Sequence, residues 1–425
     1  MKTIKLLIFW FLIFFFISSC TTSNSNKPVF TLISEEREVE LGKLYIPSYI
    51  DKFEGLYPEK EVQKYVNYLG LKIAKITERK VPYKFYVVNS GIVNAFALPG
   101  GPVVITRGLF LQLDNESQLA GVLAHELGHI NAKHHVKFLE KQLALSILLQ
   151  IGSLLVPQDL TGEILLQLGQ ISASLLTLKF SRDQEREADR YGFLYAFKAG
   201  YSPQGMIEVF EKFKKMEKKR PPEWLSTHPL PESRIKETKR YIATFKPTGI
   251  LIKDTQKFHT VKNLILKTEE SYNYVEKGKK AYKERNLNEA KNYFKKALKL
   301  YPQNTIALIY LAEIEMKENN LTTAKNYINS AIKYDPDFFT ANILAGIINF
   351  KLKNFGTSLK FFEKAKSLIP FNGISYYYTG RIYEEKRSLN LAFKNYEKAL
   401  ELGPKNETWY KDCYYRYNKL KKNIK

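Results

Sequence analysis

Four of the chain's six histidines, His125, His129, His134 and His135, fall within eleven residues. The first two belong to Val122-Leu123-Ala124-His125-Glu126-Leu127-Gly128-His129-Ile130, an H-E-x-x-H pattern with apolar flanks. On a helix, a spacing of four stacks the two imidazoles on one face, one turn apart, so both can hold a single metal ion. Glu126 then stands beside the ion, placed to take a proton from a water and return it to a leaving amine. Zinc suits that work because it polarises a carbonyl, acidifies water and has no redox chemistry. The expected cofactor is one Zn2+ per chain, and the expected reaction is hydrolysis of peptide bonds.

Such a site needs a third protein ligand. His135 lies six residues after His129, but the longer motif with that spacing has Gly three residues after the second His, and this chain has Ala132. An unbroken helix points His135 elsewhere. A better source is Ser181-Arg182-Asp183-Gln184-Glu185-Arg186-Glu187-Ala188-Asp189. Glu185 and Asp189 share a helix face, so one can bind metal while the other hydrogen-bonds a ligand histidine and fixes its tautomer. Read alone, the interleaved Arg182, Arg186 and Arg190 also suit a solvated charged face.

These residues need a scaffold. The pattern predicts a helix from about Glu116 to Leu139 and another from Ser181 to Ala199, stopped by Gly200 and Pro203. Tyr83 to Asn89 and Pro102 to Thr106 are short, β-rich and bounded by turn formers, so they read as strands. Between them, Asn94, Ala95, Phe96, Ala97 and Leu98 precede Pro-Gly-Gly and read as a strand on the cleft edge. An extended substrate would add to that strand through backbone hydrogen bonds.

The C-terminal third repeats. Pro302, Pro336, Pro370 and Pro404 recur every 34 residues, as do Ala297, Ala331, Ala365 and Ala399. Gly278, Ala312, Gly346 and Gly380 keep the period, and so do Phe294, Ile328, Phe362 and Tyr396. Small residues let two helices approach, large ones fill the gap, and Pro ends the second helix. This is the signature of four tetratricopeptide (TPR) repeats. The expected organisation is a signal segment at 1–20, a tether at 21–33 and a metallopeptidase domain at 34–246. A linker at 247–270, repeats at 271–406 and a capping helix at 407–425 follow.

Lys2 and Lys5 precede an apolar run from Leu6 to Ile17, the length of a signal segment and too short to span a bilayer. Ile17-Ser18-Ser19-Cys20 resembles the lipobox of bacterial lipoproteins, which implies acylation of Cys20, a membrane anchor and a location facing the periplasm. The following residue, Thr21, implies the outer membrane in a Gram-negative cell. Cys413 is then the one unmodified thiol, which excludes an intramolecular disulfide. The net charge is +23, of which +15 falls after Ile250, where abundant Lys coats helices. No nucleic-acid motif accompanies it, so no nucleic-acid partner is expected. Two strongly apolar stretches, Leu143 to Val156 and Ile164 to Leu178, are each shorter than 18 residues and interrupted by Gln, so a helical hairpin is expected rather than a membrane span.

H-E-L-G-H followed by S-R-x-x-E-x-x-A-D resembles the gluzincin family of CAAX prenyl proteases, heat-shock protease X and the mitochondrial Oma-type enzymes. Asn94-Ala95-Phe96-Ala97 and Thr227-His228-Pro229 match its soluble branch, and the likeness, TPR part included, covers nearly the whole mature chain. The resemblance implies an α+β zincin-like domain, mostly helical with a small sheet, followed by an all-α TPR solenoid. It assigns Glu185, not Glu187, as the third zinc ligand, with Asp189 contacting a ligand. Where the family often reads G-H-x-x-x-R-H, this chain has Lys133 and His134, which leaves His134 as another contact to a ligand. It brings His228 to the site, either capping the metal's open position or stabilising an oxyanion. The implied role is a lipid-anchored endopeptidase clearing misfolded or stalled envelope proteins. The TPR groove would dock substrates or the outer-membrane protein assembly machinery. The alternative is a TPR-dominated chaperone with latent proteolysis.

Overall fold

The computed structural model describes residues 32–152, 178–217, 221–246 and 249–424. Helix α1 (Glu35–Lys52) starts at Ser34, whose hydroxyl accepts from the Arg37 N–H, and α2 (Lys60–Ala74) buries one apolar face. A three-stranded sheet follows: β1 (Lys84–Val88), β2 (Ala95–Ala97) and β3 (Pro102–Thr106), in spatial order β1-β3-β2. β1 runs parallel to β3 and β2 antiparallel to it, with Phe96 opposite Val104. The Leu98 N–H donates to Pro102 O and the Thr106 N–H to Asn94 O. Even-numbered residues of β2 therefore face β3, and the backbone groups of Ala95 and Ala97 face the open edge.

Beyond the short α3 (Arg107–Gln112), α4 (Glu116–Asn131) crosses the core with every residue from Glu116 to Ile130 buried. Its N-cap is Asn115, whose side chain accepts from the Gln118 N–H. The single helix expected from Glu116 to Leu139 is two helices. α5 (His134–Gly152) begins after a break at Lys133, which takes a left-handed φ of 54°. α6 (Arg182–Lys198) starts in a capping box between Ser181 and Gln184. α7 (Gln204–Glu217), the one-turn α8 (Trp224–Thr227) and α9 (Glu232–Ile242) close the domain's far side.

The stretch expected as a linker carries α10 (Gln256–Leu266), whose Phe258, Val261 and Ile265 are buried within the peptidase core. Phe110 and Phe258 stack there, with ring centroids 5.6 Å apart. The helical pairs of the solenoid follow: α11 (Glu269–Lys283) with α12 (Leu287–Leu300), and α13 (Thr305–Lys317) with α14 (Leu321–Tyr334). α15 (Phe339–Lys351) then pairs with α16 (Phe355–Leu368), and α17 (Gly373–Glu385) with α18 (Leu389–Leu402), before the final α19 (Thr408–Ile424). The small-to-large register of the repeats has a direct cause. A Cβ on Gly278, Gly346 or Gly380 would stand 2.6 Å from the ring of Phe294, Phe362 or Tyr396 respectively.

The two parts touch along one side. Tyr272 of α11 donates to Asn89 Oδ1 at 2.5 Å and lies under the Arg107 guanidinium, 3.9 Å from ring centroid to carbon. Asp335 accepts from the Leu56 N–H at 2.9 Å and Asp51 from the Thr340 N–H at 2.7 Å. The Tyr45 and Phe371 rings meet at 5.1 Å. Among the described residues, no helix is long and apolar enough to cross a membrane. The signal segment with Cys20, residues 21–31 of the tether, and residues 153–177 of the apolar stretches lie outside the described residues.

Candidate metal centre

α4 presents His125, Glu126 and His129, and α6 crosses it closely enough to bring Glu185 and Asp189 alongside. The crossing depends on two glycines. A Cβ on Gly128 would lie 2.5 Å from the Ala188 carbonyl oxygen, and one on Gly192 would lie 3.0 Å from the His125 Cα and N. All five site residues are buried. The Nε2 atoms of His125 and His129 face each other at 3.1 Å. Glu185 completes the group, 3.7 Å from the first and 3.5 Å from the second.

The neighbouring groups favour one tautomer of each imidazole. His125 Nδ1 lies 3.0 Å from Asp189 Oδ1, and a carboxylate favours a proton facing it, which puts the proton on Nδ1 and the lone pair on Nε2. On the other side, His134 Nε2 lies 3.0 Å from Glu187 Oε2, and His134 Nδ1 lies 2.9 Å from His129 Nδ1. His134 thus donates to Glu187 and accepts from His129, which leaves the His129 Nε2 lone pair free. Two lone pairs and a carboxylate aimed at one point repel one another, unless a cation sits between them. Both carboxylate oxygens of Glu185 and the Nε2 of His228 are buried without a hydrogen-bond partner. The ligand atoms of His125, His129, Glu185 and His228 all lie within 4.8 Å of one another. The donor set fits a divalent metal ion of borderline softness.

The electrostatics agree. Burial holds the imidazoles of His125 and His129 below the usual histidine range, and neighbouring imidazoles push His129 further down, which favours the neutral form a metal ligand needs. Burial raises the Glu185 carboxyl well above its usual range against the opposing pull of Arg234. Burial also acts to raise Asp189, but Arg234 and His125 outweigh it and keep that carboxyl low. Burial pushes Glu126 up to about 7, opposed by the Trp224 indole N–H at 3.3 Å and the Ala97 backbone N–H.

His228, from the loop after α8, reaches this centre. Its ring stacks on Trp224 at 4.5 Å, nearly parallel, and its Nε2 lies 3.8 Å from Glu126 Oε1. Its Nδ1 stands 3.2 Å from the Trp224 carbonyl oxygen and 2.7 Å from Thr227 Oγ1. A cleft lined by Asn94, Phe96, Ala97, Leu98, Phe180 and His135 opens beside Glu126.

The residues from 58 to 242 match peptidase family M48, and those from 281 to 345 match a tetratricopeptide repeat. The metalloprotease YcaL of Escherichia coli (strain K12) is 31% identical over 186 residues, which cover 71% of that protein and 42% of this chain. This chain belongs to peptidase family M48. The beta-barrel assembly-enhancing protease of Yersinia pestis is 33% identical over 230 residues, covering 51% of this M48 chain and 46% of that protein. Its counterpart in Escherichia coli (strain K12) is 31% identical over 245 residues, covering 54% and 48%. The chain thus spans about half the length of these two curated relatives.

The geometry brings the expected M48 site residues together and adds some. His135 stays out of the ligand group; it lines the cleft with Nδ1 unpaired, and burial pushes it down to about 3. Glu187, half exposed and set aside as a ligand, acts through His134 on the His129 tautomer. Trp224 and Arg234 were missed altogether. The signal for them was indirect: the paired acids Glu185 and Asp189, once placed beside neutral histidines, require a buried cation.

The Gly128–Ala188 crossing carries a prediction. Gly128→Ala forces α4 and α6 apart and carries Glu185 away from the histidines. Zinc affinity is expected to fall by about 10–100-fold, the loss typical of disturbed support around a metal ligand. Stability should fall by roughly 1–3 kcal/mol. Zinc titration and thermal melting check both, and wild-type affinity in the variant would separate ligand placement from the crossing.

Proposed function

We propose that this M48 chain is a zinc-dependent endopeptidase acting on extended, unfolded segments of cell-envelope proteins. The observation that carries it is the buried convergence of the His125 and His129 Nε2 lone pairs with Glu185, beside a carboxylate, Glu126, that has no place in the ligand group. Zinc held by His125, His129 and Glu185 would polarise the scissile carbonyl and acidify the attacking water.

The chain's own residues do the rest. Glu126 takes the proton of the attacking water and passes it to the departing amine. The open edge of β2 offers the N–H and C=O of Ala95 and the C=O of Ala97 to a substrate in strand form. The backbone carries that contact, so it selects for extended chain more than for particular side chains. Asp189 and His134 hold the two ligand imidazoles in their metal-binding tautomers.

His228 supports a latent resting state. The Trp224 carbonyl can only accept, so His228 donates from Nδ1 and turns a bare Nε2 lone pair toward the centre. That tautomer suits a fourth metal ligand, which displaces the water, and does not suit a donor to an oxyanion. His228→Ala is expected to retain zinc and to cleave an unfolded substrate about tenfold faster, some 1.4 kcal/mol in barrier. A rate within about twofold of wild type removes His228 from the site.

The lipobox reading of Cys20 places the enzyme on an envelope membrane, and two of its relatives are named for β-barrel assembly. In this reading the TPR solenoid docks misassembled envelope proteins or their assembly machinery. Co-purification of zinc at one per chain, with chelator-sensitive cleavage of an unfolded protein, tests the activity. Radiolabelled palmitate incorporation, abolished by Cys20→Ala, tests the anchor.

A further inference from the structure

Arg234 sits in the first turn of α9, in a stretch whose alternating charges read as solvent-facing, yet it is 3% exposed. Its Nε and Nη2 grip Asp189 in a two-pronged pair at 2.6 and 2.8 Å. Its Nη1 pairs with Glu185 Oε2 and also donates to the Pro229 carbonyl at 3.0 Å. The guanidinium carbon lies 4.8 Å from the Phe210 ring centroid and 5.7 Å from that of Trp224. Its guanidinium is therefore committed to three residues on two parts of the site, α6 and the loop after α8. One partner binds the metal, one orients His125, and the third is the residue next to His228.

We infer that Arg234 is a positioning residue that couples the His228 loop to the metal ligands, so that metal loading and loop closure reinforce one another. The inference rests on the metal-site reading above. Glu185 has competing demands: its charge must be balanced without being tied down where the ion sits. A single guanidinium answers this by an ion pair to Oε2 that ties neither carboxylate oxygen into a hydrogen bond. Because the same Nη1 carries the Pro229 carbonyl, lifting the loop removes one of its two partners and lets the guanidinium shift on Glu185 and Asp189. Coupling of this kind is reciprocal: whatever the loop does to metal affinity, metal does to loop closure by the same factor. A lysine keeps the charge but has three rotatable donors and no fixed fork, so it cannot serve three partners in this geometry.

The test separates this coupling from direct contact between His228 and the ion by working in a His228→Ala background. Zinc affinity is measured by chelator competition, and amide exchange by mass spectrometry on the segment 224–230, whose residue-228 N–H bonds to the Trp224 carbonyl. In the full-length His228→Ala protein, saturating zinc should slow exchange of this segment at least tenfold. In His228→Ala/Arg234→Lys, zinc affinity should fall at least tenfold, and saturating zinc should no longer slow the segment, with exchange elsewhere unchanged. If Arg234→Lys fails to fold, Arg234→Gln keeps a planar donor and leaves Asp189 untouched, and the same loss of zinc-dependent protection is expected. Full protection by zinc in either variant overturns the coupling, as does faster exchange throughout the chain, which marks a merely structural role. A wild-type chain that takes up no zinc sinks the metallopeptidase reading and this inference together. Normal uptake with unchanged affinity in the lysine variant sinks this inference alone.

Discussion

Glu126→Gln is expected to bind zinc as the wild type does, to melt at the same temperature and to lose peptide hydrolysis by at least about 10²–10⁴-fold. That range is the usual worth of general base catalysis. Gln has nearly the shape of Glu, so α4 keeps its packing. Its amide oxygen still accepts from the Trp224 indole, 3.3 Å from the present Oε1. His125 and His129 contact Asp189 and His134 rather than residue 126, so in the proposed site metal binding would not depend on the carboxylate. What disappears is the group that takes the water's proton. Zinc content, melting temperature and cleavage of an unfolded substrate, measured side by side, decide the point. Hydrolysis near the wild-type rate with zinc and stability intact would end the mechanism proposed for this site.

The second large effect concerns where the catalytic unit ends. A chain cut after Lys246, the boundary the sequence suggests, loses α10. It therefore loses Phe258, Val261 and Ile265 from a core they share with Phe110 and Leu113. Emptying a buried Phe or Ile site costs about 2–5 kcal/mol. Three such losses approach the roughly 5–15 kcal/mol by which a whole domain is stable. The truncated chain should therefore fail to melt cooperatively and should bind no zinc. A chain cut after Lys267 restores those side chains and should recover both properties, at reduced stability, since Tyr272 still lacks its place beside Asn89 and Arg107. Circular dichroism melts and zinc content distinguish the two chains. A cooperative, zinc-loaded fragment ending at Lys246 would show that the shorter unit is sufficient.

The grouping on α4 was legible because it is local: one helix carries both imidazoles and the carboxylate proposed as base, and a spacing of four needs no tertiary information. The TPR register was legible for a similar reason, since the contact of Gly346 with Phe362 recurs at a fixed period. The break at Lys133 was not. Nothing in Ala132-Lys133-His134 forces a helix to stop, and a lysine at φ 54° costs local energy. The break turns His134 back toward His129, which an unbroken helix cannot do. Arg234 was hidden because Glu232 to Arg240 alternates charge like any wetted helix, and only the approach of α6 together with the Phe210 and Trp224 rings buries it. Phe258, Val261 and Ile265 show helical spacing in the sequence, but spacing alone does not say which of two neighbouring units they enter.

If substrates add to the open edge of β2 as proposed, time becomes a determinant of their fate. A folded protein has already paired most of its strand-forming backbone groups internally, apart from its sheet edges, so it has little to offer Ala95 and Ala97. A nascent or stalled chain competes for those same groups from within. A β-hairpin closes in about 1–10 microseconds, and small domains fold at roughly 1–10⁵ per second. Under the proposed function, a segment that pairs with its own chain faster than it meets the enzyme would escape, whatever its composition, and one still unpaired after many encounters would be cut. Discrimination then comes from a race rather than from a recognition code, and slowing a client's folding without altering its sequence should suffice to turn it into a substrate.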